Sequence, residues 1–67
     1  MPTVIANGRP LPLPAPRTLH AFLVDQGLPP RSVVVELNGA ATAPSEFAER
    51  ILQPGDCLEI VTIVAGG

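Results

Sequence analysis

Thr3 to Ala6 is a short β-favouring run that stops at Asn7-Gly8. Asn-Gly is the dipeptide that best suits a two-residue hairpin turn, because both central positions need positive φ. In the arm that follows, Arg9 to Pro14, Leu11 and Leu13 alternate with Pro10, Pro12 and Pro14. Proline cannot donate to a ladder, so this arm is expected to be an edge strand. The same prolines could also be read as a polyproline ligand for an aromatic groove. Leucines alternating beside a turn fit better with a sheet that has one buried face.

From Thr18 the period lengthens. Leu19, Phe22 and Leu23 share one face at helical spacing, Thr18 can cap the start, and Gly27 can stop the helix before Pro29 and Pro30. Arg31 to Asn38 returns to a period of two, with Val33, Val35 and Leu37 on one side and Ser32, Val34 and Glu36 on the other. Asn38-Gly39 makes a second turn. Pro44-Ser45-Glu46 opens a helix of one or two turns, in which Glu46 lies four residues before Arg50 and Phe47 plugs the core. Pro54-Gly55-Asp56 is a turn, and Cys57 to Val64 is the last and longest strand.

Strand, strand, helix, strand, short helix, strand is an α+β order in which one helix crosses a mixed sheet of four to five strands. The places of the first and last strands in that sheet are not set by the pattern. Residues 1–64 are expected to form one domain and 65–67 a flexible tail.

Composition narrows the means of stabilisation. The chain has 67 residues, and a domain of that size buries only about 60% of its unfolded surface. Cys57 is the only cysteine and His20 the only histidine, so an internal disulfide and a zinc cluster are excluded. Hydrophobic residues make up 46% of the chain and aromatic ones 3%, Phe22 and Phe47, so the core must be aliphatic. The net charge is -2, and Arg9, Arg17, Arg31 and Arg50 are scattered, which argues against nucleic acid as a partner. Without a leader or a long apolar run, a soluble cytoplasmic protein that does not enter the membrane is expected. There is no lysine, hence no Schiff base and no side chain to accept an isopeptide bond.

The inventory for catalysis is thin. Glu46 and Glu49 belong to a short surface helix, Asp56 to a turn, and Glu36 and Glu59 to the solvent side of strands. Cys57 has no neighbouring base and is expected to be a buried or half-buried small hydrophobe, while His20 is expected on the exposed helix face. No phosphate-cradling or dinucleotide motif occurs. An autonomous enzyme is not expected, nor a metal site or a permanently bound cofactor.

What remains is Val64-Ala65-Gly66-Gly67, where a strong strand gives way to small residues. Two residues without Cβ can thread a channel too narrow for any other, which would bring the Gly67 carboxylate to a partner's active site. A carboxylate is a poor electrophile at neutral pH and must be activated. Adenylation by ATP would supply a leaving group, after which a sulfur nucleophile could attack the Gly67 carbonyl. The bland reading is a frayed terminus. Against it, Leu58, Ile60 and Thr62 share one face of the last strand and Glu59, Val61 and Ile63 the other. If Glu59 marks solvent, Val61 and Ile63 are exposed apolar residues leading to the tail, and Val34 joins them if the two strands are neighbours. Such a patch beside a reactive end suits partner docking.

Several stretches, in this order, carry a family resemblance: Asn7-Gly8, Thr18-Leu19 with Phe22-Leu23, Val35-Glu36-Leu37-Asn38-Gly39, Pro44-Ser45-Glu46-Phe47-Ala48, Pro54-Gly55-Asp56 and Val64-Ala65-Gly66-Gly67. The chain resembles the ThiS family, the sulfur carriers of thiamine thiazole biosynthesis within the ubiquitin-like β-grasp superfamily. The resemblance implies a β-grasp fold and an ATP-dependent activating enzyme that adenylates Gly67. It also implies a sulfur donor system that makes a thiocarboxylate there, and thiazole synthase as the recipient. The chain would then be a cosubstrate rather than a catalyst. Phe47 stands where the family commonly has tryptophan, and the proline-rich second strand is unusual for it. The small subunit of molybdopterin synthase shares the fold and the chemistry, and a ubiquitin-like modifier joined through Gly67 to other proteins is a further alternative. A binding module with an inert tail is the last.

Overall fold

The computed structural model describes residues 2–63. Its main sheet has five strands: β1 (Thr3–Ala6), β2 (Arg9–Pro12), β4 (Val33–Leu37), β5 (Ala40–Thr42) and β7 (Cys57–Thr62), in the order β2-β1-β7-β4-β5. One helix, α1 (Leu19–Asp25), contributes Leu19, Phe22 and Leu23 to the core. β3 (Arg17–Thr18) and β6 (Ile51–Leu52) form a separate two-stranded antiparallel sheet. Pro30–Ser32 and Pro44–Glu46 are short 3-10 turns.

Local chemistry accounts for the punctuation. Asn7 and Gly8 have φ of 52° and 80°, and Asn38 and Gly39 have 52° and 86°, so both Asn-Gly pairs are left-handed hairpin turns. Thr18 Oγ1 accepts the Ala21 N–H at 3.0 Å, capping α1. Beyond α1, Gly27 takes φ 75°, its N–H donates to the Val24 carbonyl, and the Leu28 N–H donates to the Leu23 carbonyl, closing the end. Glu46 accepts from the Arg50 guanidinium at 3.1 Å.

β2 lies at the sheet edge, as its prolines require. It ends at Pro12 rather than Pro14, although the Leu13 N–H still reaches the Pro2 carbonyl. The strand expected from Arg31 begins at Val33, because the Pro30–Ser32 turn precedes it. The last strand ends at Thr62; Ile63 keeps the register through its N–H to the Ser32 carbonyl, while the rest of the expected strand and the tail lie outside the described residues. β7 is central, parallel to β1 and antiparallel to β4. The pattern of residues alone does not set those two placements.

The core lies between the sheet and α1. Val4, Leu19, Phe22, Leu23, Val35, Phe47, Leu52 and Leu58 are fully buried. Burying each such side chain contributes about 1.5–3 kcal/mol before the entropy of ordering it is subtracted. The opposite face of the sheet carries no helix of the described chain, and that open face positions the candidate site.

Candidate docking face on the open side of the sheet

Side chains alternate across a strand, so the burial of Val35 and Leu58 decides where their neighbours go. Val33 and Val35 turn inward on β4 and send Val34 and Glu36 outward; Leu58 turns inward on β7 and sends Cys57, Glu59 and Val61 outward. β4 and β7 are hydrogen-bonded neighbours, and their register sets Val34 directly opposite Val61. Residues opposite one another on one face of an antiparallel pair are in side-chain contact range. Val34 is 50% exposed, Val61 63% and Ile63 50%, so three aliphatic side chains stand in water at the end of β7. The other large exposed apolar residues, Val24 and Ile51, belong to α1 and β6 rather than to the main sheet.

Glu36 and Glu59 occupy the next outward positions along the two strands, again directly opposite each other. Both are exposed, and neither has an ion-pair partner among the described residues. The patch is therefore aliphatic towards the tail and acidic behind it. Val34, Val61 and Ile63 are thus gathered in one place; Val64, Ala65, Gly66 and Gly67 lie outside the described residues.

Cys57 departs from expectation. It is exposed rather than buried or half-buried, because Leu58 claims the inward position and parity turns Cys57 outward. Among the described residues its thiol has one hydrogen-bond partner, the Gly55 carbonyl at 3.9 Å. His20 is exposed on α1. Among the described residues no three His, Cys, Asp or Glu side chains gather as a metal-binding group, and no helix is long and apolar enough to cross a membrane. A pocket beside Leu13 and Leu52 is lined by apolar side chains and one amide, Gln53, which offers no acid, base or nucleophile.

Two residues that bear on the site were not singled out from sequence. Asn7 clamps β7 from one side: its Oδ1 accepts the Ile60 N–H at 2.7 Å and its Nδ2 donates to the Ile60 carbonyl at 3.0 Å. Asn38 holds the start of the same strand from the other side, its Oδ1 accepting the Cys57 N–H at 2.9 Å. The signal for both was present in the Asn-Gly turns, but their partners come from a strand far away in sequence.

A mixed five-stranded sheet laid over one helix, with parallel first and last strands and an open outer face, is a ubiquitin-like β-grasp domain. The fold is that of the crystal structure of a thiamine biosynthesis protein, ThiS, from Geobacter metallireducens. The two agree with a TM-score of 0.82 over 97% of this chain and 99% of that one, at 24% identity. The model of the ThiS family matches residues 4–67. The sulfur carrier protein ThiS of Thermus thermophilus is 38% identical over 91% of this chain and 94% of its own length. The chain belongs to the ThiS family. It is also 34% identical to thiazole synthases of Magnetococcus marinus and Paramagnetospirillum magneticum, over 91% and 96% of this chain, but spans only 19% and 20% of those proteins.

Proposed function

We propose that the chain carries sulfur as a thiocarboxylate on Gly67 and hands it to thiazole synthase. The observation that carries this reading is the Val34–Val61 pair, continued by Ile63, exposed on the strand that leads into Gly66-Gly67 in a member of the ThiS family. A partner seated on that face removes the aliphatic patch from water and holds the tail beside its own active site. Burial of each valine supplies up to about 1.5–3 kcal/mol of association.

The chemistry belongs to the partners. In an ATP-dependent adenylating enzyme, a Gly67 carboxylate oxygen attacks the α-phosphorus of ATP and pyrophosphate leaves. Hydrosulfide-level sulfur from the donor system then attacks the carbonyl carbon, displaces AMP and loses its proton, leaving the thiocarboxylate. ATP is the activating enzyme's cosubstrate, and the chain is a protein cosubstrate rather than an enzyme. The two thiazole synthases that contain a stretch similar to this chain within a much longer polypeptide support a synthase as the recipient.

The test is the intact mass of the chain recovered from its own cells, beside a variant lacking Gly67. A species heavier by the difference between sulfur and oxygen, absent from the variant, is the expected result. If the chain is instead found joined to other proteins, it acts as a modifier. If neither form occurs in cells starved of thiamine, the carrier reading is wrong.

A further inference from the structure

On the β1 side of β7, backbone pairing runs out before the strand does. The even-numbered residues of β7 turn their N–H and C=O toward β1: the Leu58 carbonyl accepts the Asn7 N–H at 2.8 Å. β1 ends at Ala6, and the next pair of groups, on Ile60, is taken by the side chain of Asn7, which imitates one more residue of strand. The pair after that, on Thr62, has no partner among the described residues, and Thr62 is exposed. β7 is central at its start and an open edge at its end.

A groove of about 240 Å³ adjoins this edge on the helix side of the sheet. Leu11, Phe22, Leu28 and Ile60 supply its apolar lining, with Arg9 and Gln26 as polar groups. Ile60 and Asn7 belong both to the groove and to the last occupied pairing position. Arg9 has no ion-pair partner among the described residues.

We propose that an extended segment of the adenylating enzyme pairs with β7 at Thr62, on the side where β1 has ended, and sets one aliphatic side chain into this groove. An unpaired N–H and C=O on an extended strand select another extended backbone, and the residue opposite Thr62 projects to the same face as Ile60. The groove selects an apolar side chain there, and Arg9 selects an acidic neighbour. The pairing continues the proposed docking face around the end of the sheet: Val34, Val61 and Ile63 bind on one side while Thr62 is zipped along its edge. The inference rests on the carrier reading and adds how the strand before the tail is held straight.

Thr62→Pro removes the N–H that faces the open side and no internal hydrogen bond, so the variant is expected to fold. With the activating enzyme, adenylation followed by ATP–pyrophosphate exchange should lose about tenfold or more in kcat/KM, corresponding to one lost interfacial hydrogen bond and the pairing it anchors. Thr62→Val, which keeps the N–H, measures what the side chain alone contributes. Arg9→Glu should also lower kcat/KM. In the wild-type complex, amide exchange at Thr62 should slow relative to the free chain, a readout that stands even if the proline variant misfolds. Unchanged exchange at Thr62 together with a wild-type rate for Thr62→Pro overturns the inference and leaves the carrier reading intact. A wild-type chain that the activating enzyme never adenylates overturns the carrier reading itself, and the inference with it.

Discussion

Asn7 serves the turn and the sheet at once. Its φ of 52° suits asparagine or glycine, and its amide occupies both backbone groups of Ile60. Asn7→Gly keeps the turn and loses the bonds, which is expected to cost about 1 kcal/mol; Asn7→Ala adds backbone strain and should cost about 2 kcal/mol. Urea unfolding of the two variants side by side separates these contributions. Thr18→Ala removes the cap of α1 and should cost about 1 kcal/mol in the same assay. Glu36 and Glu59 oppose each other across β4 and β7 with no cation between them, so Glu59→Gln is expected to raise the melting temperature at low salt. Added salt screens the repulsion in the parent chain, so the gain should shrink as salt is raised.

At the scale of elements, β2 shows why a proline-rich strand can belong to a sheet. The hairpin register joins Arg9 to Ala6 and Leu11 to Val4, and the Leu13 N–H reaches the Pro2 carbonyl, so odd positions face β1 and even positions face outward. Pro10 and Pro12 therefore stand where an N–H would point into solvent at a free edge. No ladder bond is lost, and the edge is denied the donors that another strand would need. Replacing both prolines by threonine should leave the fold intact and increase self-association, as measured by sedimentation velocity. This edge placement was legible in the alternation of Pro and Leu, as were both Asn-Gly turns, the Thr18 cap and the Glu46–Arg50 pair, because each depends on residues within a few positions of one another. The β3–β6 pair was not legible: two-residue strands have no period to read, and they exist because the residues entering α1 meet those following Phe47. β5 was hidden for a related reason, since Ala40 and Ala41 carry little strand preference. The candidate site was half legible. Val34 and Val61 were placed on outward faces by parity, but their opposition needed the β4–β7 register, a property of the folded sheet. The same parity, applied to Leu58, would have put Cys57 outside.

For the whole molecule, the division between a packed face and an open one separates stability from association. Val34 and Val61 are at least half exposed, so changing both to glutamine should leave the melting temperature almost unaltered. The same double variant should lose about tenfold or more in kcat/KM for adenylation, the equivalent of part of one valine's burial. Phe47→Ala, on the packed face, should do the reverse of this separation and cost about 3–5 kcal/mol, enough to unfold much of so small a domain. The central position of β7 has a mechanical consequence as well. A pull along β7 is resisted by β4 from Leu58 to Thr62 and by β1 at Cys57 and Leu58. Bonds lying across the direction of pull share the load and must yield together, whereas a strand peeled from an edge gives them up one at a time. A load carried along β7 therefore has little tendency to unravel the domain.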